Sequence, residues 1–268
     1  GNHTFRDDKV GGHGSVDMAK SIIDSCDTYY YHLARDMGVN MMHDFMKPLG
    51  FGQITGIDLE GEIRGILPST AWKERSFKKP EQQKWYEGET ISLGIGQGYN
   101  SFSILQLAHA TANLANQGVV MKPHLVKSIE DPISKERTLT TPKESYKIGL
   151  KKENIDVITN AMLDVNRFGT SAAAFKGASY NAAGKTGTAQ VFSLNSKTYS
   201  HSSTPEFLRD HALYIVFAPA EKPKIAIAMV VENAGFGAAQ AAPIARKALD
   251  YYIEGRWPKE IPEWKNAP

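Results

Sequence analysis

The sequence predicts an α+β fold, an antiparallel sheet flanked by helices, and three observations carry that prediction. Apolar residues recur at helical spacing in most of the first two-thirds of the 268 residues. Three strand-like runs follow in close succession, near 185–192, 212–218 and 225–231, and a last helical stretch covers about 241–253. Helices in a block, then consecutive strands, then a helix favour segregated α and β elements over an alternating parallel arrangement.

Val16, Ala19, Ile22, Ile23, Cys26, Tyr30, Leu33, Ala34 and Met37 mark the first helical region, with Ser15 placed to cap it and Gly38 to end it. The polar cluster Asp24, Ser25, Asp27, Thr28 leaves two readings open, one long helix or two short ones meeting near Ser25. A short helix over about 41–47 is ended by Pro48 and Gly50, and residues 54–68 read as turns with short extended pieces. Residues 73–84, KERSFKKPEQQK, read as a solvated basic loop, flanked by Trp72, Trp85 and Tyr86 as a candidate cleft rim. After the glycine-rich ISLGIGQGYN, residues 104–115 form a helix, 119–129 a strand leading into a polar excursion to 148, 155–165 a helix, and 170–175 a further turn or two. A long polar loop over 193–210 separates the first two strands of the C-terminal third.

Composition excludes several classes. Hydrophobic residues at 41% and charged residues at 22% are globular values, which excludes a disordered tail or a coiled coil. A net charge of +2 gives no concentrated basic surface, so nucleic acid is not expected as a partner. A single cysteine excludes an intrachain disulfide. No apolar run approaches 18 residues and no signal-like N-terminus is present, so the sequence as it stands is expected neither to span a membrane nor to carry its own export signal. Beginning at Gly1, it reads as a processed or excised piece.

The most informative local feature is Lys185-Thr186-Gly187-Thr188 at the head of a predicted strand. A cation, two hydroxyls and a glycine on one strand can hold an anion while a peptide approaches the backbone closely. The strand edge could pair with an extended substrate, and the Thr188 N–H could face a reacting carbonyl. An ordinary Lys/Thr strand edge is the other reading of this tetrapeptide taken alone. Ser25-Cys26-Asp27 adds a hydroxyl and a carboxylate two residues apart at a helix junction, and such a pair accompanies Lys-Thr-Gly in penicillin-recognising enzymes. Ser15-Val16-Asp17 has the same form, but there the helix-cap reading is better.

Taken in order, SCDTYYYHLARDMG, FGQITGIDLEGE, GIGQGYNSFSILQLAHATANLANQGVVMKPHLV, AGKTGTAQVF and RDHALYIVFAPAEKPKIAIAMVVENAG resemble class B penicillin-binding proteins, most of all the elongation-type members of Gram-negative bacteria. The resemblance runs from about residue 12 to 253. It implies a β-lactamase/transpeptidase-like fold and a D,D-transpeptidase that crosslinks peptidoglycan stem peptides through a serine acyl-enzyme and is acylated by β-lactam antibiotics. By resemblance, Ser25 and Asp27 are the second catalytic motif and Lys185, Thr186, Gly187 and Thr188 the third. Ser25 would join the proton relay to the leaving amine, Lys185 would support it electrostatically, and Lys185, Thr186 and Thr188 would bind the terminal carboxylate. The resemblance also implies a periplasmic domain on the inner membrane, anchored by an upstream helix, working with a RodA-type glycosyltransferase and an MreC-type scaffold. No cofactor is required for such catalysis.

The nucleophile motif, S-x-x-K, is expected upstream of residue 1, so that residues 1–268 make a transpeptidase domain lacking its first catalytic segment. The one S-x-x-K present, Ser76-Phe77-Lys78-Lys79, lies on the wrong side of the second motif and is rejected. Asp7, His13 and Cys26 supply a carboxylate, an imidazole and a thiol within twenty residues, a donor set that suits a structural zinc. A packing cysteine with unrelated neighbours is the alternative. Rival functions are a D,D-carboxypeptidase or β-lactamase-like hydrolase, in which water replaces the acceptor amine, and a non-catalytic penicillin-binding module.

Overall fold

The protein is represented by a computed structural model that describes residues 4–191 and 204–259. The chain falls into two compact units, Gly1–Gly12 with Cys26–Ile155, and His13–Ser25 with Asp156–Pro268. Each has its own core.

In the second unit, α1 (Met18–Ile23) starts at Asp17, whose carboxylate accepts the Lys20 N–H at 2.8 Å. The Ser-x-Asp at 15–17 is thus a helix cap, with Asp17 in place of the expected Ser15. The helical region divides at Ser25, resolving the two readings in favour of two helices. α7 (Lys152–Arg167) enters this unit from the first and is followed by α8 (Ala172–Phe175). Strands β5 (Ala183–Ala189), β6 (His211–Ala218) and β7 (Ile225–Val231) form an antiparallel sheet in the order β5-β6-β7, with Lys185 opposite Ile215 and Ala218 opposite Ile225. The first strand begins two residues before its predicted start and ends at Ala189. Phe192 and residues 193–203 of the predicted loop lie outside the described residues. α9 (Gly237–Glu254) packs on the sheet through Ala241, Ala242, Ala245 and Leu249, all fully buried, against Tyr214, Val216 and Ala218 of β6. Alanines on that stripe let helix and sheet approach closely, and burial of a side chain such as Leu249 stabilises by about 1.5–3 kcal/mol.

The first unit is built on α2 (Asp27–Met46), which bends at Gly38, where φ is 72° and ψ is 158°. Only glycine adopts that conformation cheaply, so Gly38 ends one helical run and the predicted 41–47 helix continues the element. α3 (Thr70–Ser76), α4 (Pro80–Gln83), α5 (Glu87–Leu93) and α6 (Ile104–Ala115) follow. Phe51, Leu67 and Ala110 form a core with Phe102 and Leu107, the Phe51 and Phe102 rings lying 4.6 Å apart.

Two expectations fail here. The 119–129 strand is two short strands, β1 (Val119–Met121) and β2 (Ser128–Glu130), and each pairs with a piece of the supposed polar excursion, β1 with β4 (Glu144–Lys147) and β2 with β3 (Arg137–Leu139). The 73–84 stretch is not one solvated loop. Lys73 is 2% exposed and donates to the Lys84 carbonyl at 2.8 Å. Its ammonium pairs with Glu89 and lies 5.3–5.5 Å from the ring centroids of Trp85, Tyr86 and Tyr99. An aromatic cage with a carboxylate replaces the water that a lysine ordinarily keeps.

Candidate active site

Ser25 and Lys185 are 160 residues apart in sequence, yet Lys185 Nζ donates to Ser25 Oγ at 2.9 Å. Ser25 sits between the end of α1 and the start of α2 with φ of 59°. A non-glycine residue holds that left-handed conformation at a cost of order 1 kcal/mol, and such strain gathers where a side chain must point one particular way. The ammonium also donates to the Thr186 carbonyl at 3.0 Å and approaches Thr186 Oγ1 at 3.5 Å. A lysine has three donors, and these contacts fix its head between the serine and the strand. Ser25 Oγ accepts from the ammonium, which leaves its own O–H to donate to an incoming group.

Strand alternation places Gly184 and Thr186 on one face of β5 and Gly187 on the other. A Cβ on Gly184 would lie 2.1 Å from the Tyr214 hydroxyl, so glycine there admits a buried polar network. Asn166 Nδ2 donates to the Ala182 carbonyl at 2.7 Å, and Asn166 Oδ1 accepts from Ser171 Oγ at 2.6 Å and from the Tyr214 hydroxyl at 2.5 Å. All three side chains are buried, and burial pushes the Tyr214 phenol well above its ordinary pKa. On the same face, Thr170 Oγ1 lies 2.9 Å from Thr186 Oγ1. A Cβ on Gly237 would come within 2.3 Å of the Gly187 and Leu213 carbonyls, so α9 begins directly against the strand. Among the described residues β5 is an edge strand, with β6 on one side only.

Asp27 belongs to the first unit as the first residue of α2. Asp7 Oδ2 accepts from Thr28 Oγ1 at 2.8 Å, the Thr28 N–H at 3.3 Å and Cys26 Sγ at 3.2 Å. Cys26 is the N-cap residue of α2 and makes no cap bond of its own, so Asp7 caps that helix from twenty residues away. Burial pulls the Asp7 carboxyl upward, but side-chain hydrogen bonds with Asp8, Cys26 and Thr28 outweigh it and hold the group well below the usual carboxylate range. Burial and the charges of Asp27, Asp7 and Asp8 push the Tyr31 phenol up to about 12. Cys26 is a buried free cysteine, and its 3.2 Å contact joins two of the three candidate zinc donors, thiol and carboxylate, in one unit. The third, His13, lies in the second unit, where its carbonyl accepts from Lys20 Nζ at 3.1 Å.

The penicillin binding protein transpeptidase domain family matches residues 1–250. The chain belongs to that family. It is 40% identical over 263 residues to the peptidoglycan D,D-transpeptidase MrdA of Haemophilus influenzae, covering 95% of this chain and 39% of that protein. The chain therefore spans about two-fifths of the length of this curated relative. Among solved structures it resembles penicillin-binding protein 2 of Pseudomonas aeruginosa in complex with WCK 5153, with a TM-score of 0.79, 36% identity and coverage of 98% of this chain and 55% of that one. It also resembles penicillin-binding protein 2 of Helicobacter pylori in complex with MreC, with a TM-score of 0.77, 29% identity and coverage of 95% and 43%. The helices with antiparallel strands described above are the transpeptidase fold of this family.

Transpeptidase membership sharpens two points. Ser76 ends α3 and Lys79 is the N-cap of α4, with Phe77 extended between them at φ −113° and ψ 139°. They do not share a helix face as a nucleophile and its base at i, i+3 must, and the rejection of this S-x-x-K stands on that geometry. Sequence reasoning missed Thr170, Asn166, Ser171 and Tyr214. They carry no motif, and only the folded arrangement brings them to β5. Three histidines are held by backbone groups: His43 Nδ1 meets the Leu67 carbonyl at 3.2 Å, His109 Nε2 the Met121 carbonyl at 3.0 Å, and His211 Nδ1 accepts the Asn233 N–H at 2.9 Å.

Proposed function

We propose that this chain supplies the second and third catalytic motifs of a serine-type D,D-transpeptidase that crosslinks peptidoglycan stem peptides and is acylated by β-lactams. The observation that carries the reading is the 2.9 Å contact from Lys185 Nζ to Ser25 Oγ, a relay formed by residues that only the fold brings together. In the proposed mechanism a D-Ala-D-Ala peptide lies along the outer edge of β5, and its terminal carboxylate meets Lys185 and the hydroxyls of Thr186 and Thr188. Gly187 leaves room for the peptide backbone, and the Thr188 N–H faces the oxyanion. Ser25, polarised by Lys185, relays to the departing D-Ala amine the proton that the attacking serine gives up, so that its own hydroxyl is restored, and the amine of a second strand then displaces the enzyme serine from the acyl group, returning a proton to it. Asp27, at the start of α2, orients neighbouring groups. Residues 1–268 act in this reading as a transpeptidase domain completed by an S-x-x-K segment beyond them.

Placement on the periplasmic face of the inner membrane, an upstream membrane anchor, and association with a RodA-type glycosyltransferase and an MreC-type scaffold are part of the same proposal. Likeness to the H. pylori protein solved with MreC supports the MreC-type partner; the others rest on the family resemblance alone. No described helix is long and apolar enough to cross a membrane. Catalysis by this family calls on no cofactor. A structural zinc on Asp7, His13 and Cys26 is supported by donor chemistry. Cys26→Ser should lower bound zinc in metal analysis; equal content in both proteins would remove it.

The catalytic assignment is tested by fluorescent-penicillin labelling of the full-length protein. Lys185→Ala and Ser25→Ala should each slow acylation by about 10²-fold or more, the scale of a lost acid–base group. Labelling at the parental rate in both would refute the assignment.

A further inference from the structure

We propose that Thr170 is a positioning residue for the carboxylate subsite, acting by fixing the direction of the Thr186 O–H. The inference deepens the transpeptidase reading and rests on it. Thr170 Oγ1 lies 2.9 Å from Thr186 Oγ1, and Lys185 Nζ approaches the same oxygen at 3.5 Å. A hydroxyl offers one donor and two acceptor sites. With the Thr170 hydroxyl turned as donor, one of the two orientations open to that pair, and Lys185 donating as well, the lone pairs of Thr186 Oγ1 are taken and its single proton is left for an anion. Hydrogen bonds in such a chain strengthen one another, so Thr170 also makes Thr186 a better donor.

Thr170 is held in place from both sides. A Cβ on Gly169 would strike the Ile23 carbonyl at 2.6 Å, so this turn is pressed against the end of α1, two residues before Ser25. On the other side Ser171 is fixed by Asn166 Oδ1 at 2.6 Å and is 1% exposed. The segment 169–171 therefore braces the Ser25 junction and the Thr186 strand together, and Thr170 is its one exposed residue with a hydroxyl on the site. Nothing in the fold of this segment requires that hydroxyl, because the packing is done by Gly169 and Ser171.

The test compares acylation of the full-length protein by a penicillin bearing its free carboxylate and by the methyl ester of the same penicillin. Thr170→Val should slow acylation by the free acid about tenfold, the scale of one hydrogen bond to a charged group, while leaving the ester within twofold. Thr170→Ser should keep the parental rate with both, and the melting temperature of all three proteins should agree. An equal loss with acid and ester would mark Thr170 as merely structural, and no loss with the acid would mean that Thr186 needs no such partner. Either result overturns the proposal while leaving the transpeptidase reading intact. Failure of the parental protein to react with the free acid would instead defeat that reading, and this inference with it.

Discussion

At the scale of single residues, Lys73 shows how a burial cost is met. Its ammonium is held by Glu89, the Lys84 carbonyl and three aromatic rings, and removing one member of such a pair strands the other charge. Lys73→Met should lower unfolding free energy in urea by about 3–5 kcal/mol, and Lys73→Met with Glu89→Gln should recover part of that. Lysine in a run of lysines and glutamates reads as solvated because it usually is, and its burial depends on Tyr99, far along the chain. Lys185 and Thr186 could be singled out in the sequence for the opposite reason. Their pattern is local to one tetrapeptide, whereas the Thr170 and Asn166 contacts depend on the end of α7 and the turn after it meeting β5 and β6.

At the scale of elements, β6, β7, α6, α7 and α9 follow their apolar periodicity to within a few residues. The β1–β4 and β2–β3 ladders did not announce themselves. They are three or four residues long, and every residue of β3 and β4 is exposed, so no alternation marks a buried face. The close approach of α9 to β5 gives a second prediction. Gly237→Ala places a methyl group against two backbone carbonyls that cannot swing aside. It should destabilise the fold by about 1–3 kcal/mol in urea and also slow penicillin acylation, because Gly187 must shift.

The loops of the first unit lean on carboxylates. Glu62 accepts from the Thr55 and Gly56 N–H groups and Asp58 from those of Leu125 and Val126. Burial pulls Glu62 upward, but these bonds outweigh it and lower its pKa below the ordinary 4.5; backbone hydrogen bonds lower Asp58 below 3.8. A folded pKa below the unfolded one means that the folded state binds fewer protons. The stabilisation is complete above the ordinary values and is lost as pH falls through the lowered ones. Glu62→Gln and Asp58→Asn should therefore flatten the acid limb of the stability curve, measured as urea midpoints between pH 3 and 6, and an unchanged slope would contradict it.

At the scale of the whole molecule, the account assigns one chemistry to two motifs set far apart in the sequence. The same motifs would serve a hydrolase, with water as acceptor, or a module that binds penicillin without turnover. Mass spectrometry of the products formed by the full-length protein from a D-Ala-D-Ala stem peptide, with and without an amine acceptor, separates the three most directly. The account predicts a crosslinked product, with one D-Ala released per crosslink, that depends on the acceptor and is lost in Lys185→Ala. Release of D-Ala by water at the same rate whether or not the acceptor is present, or no release at all, would contradict it.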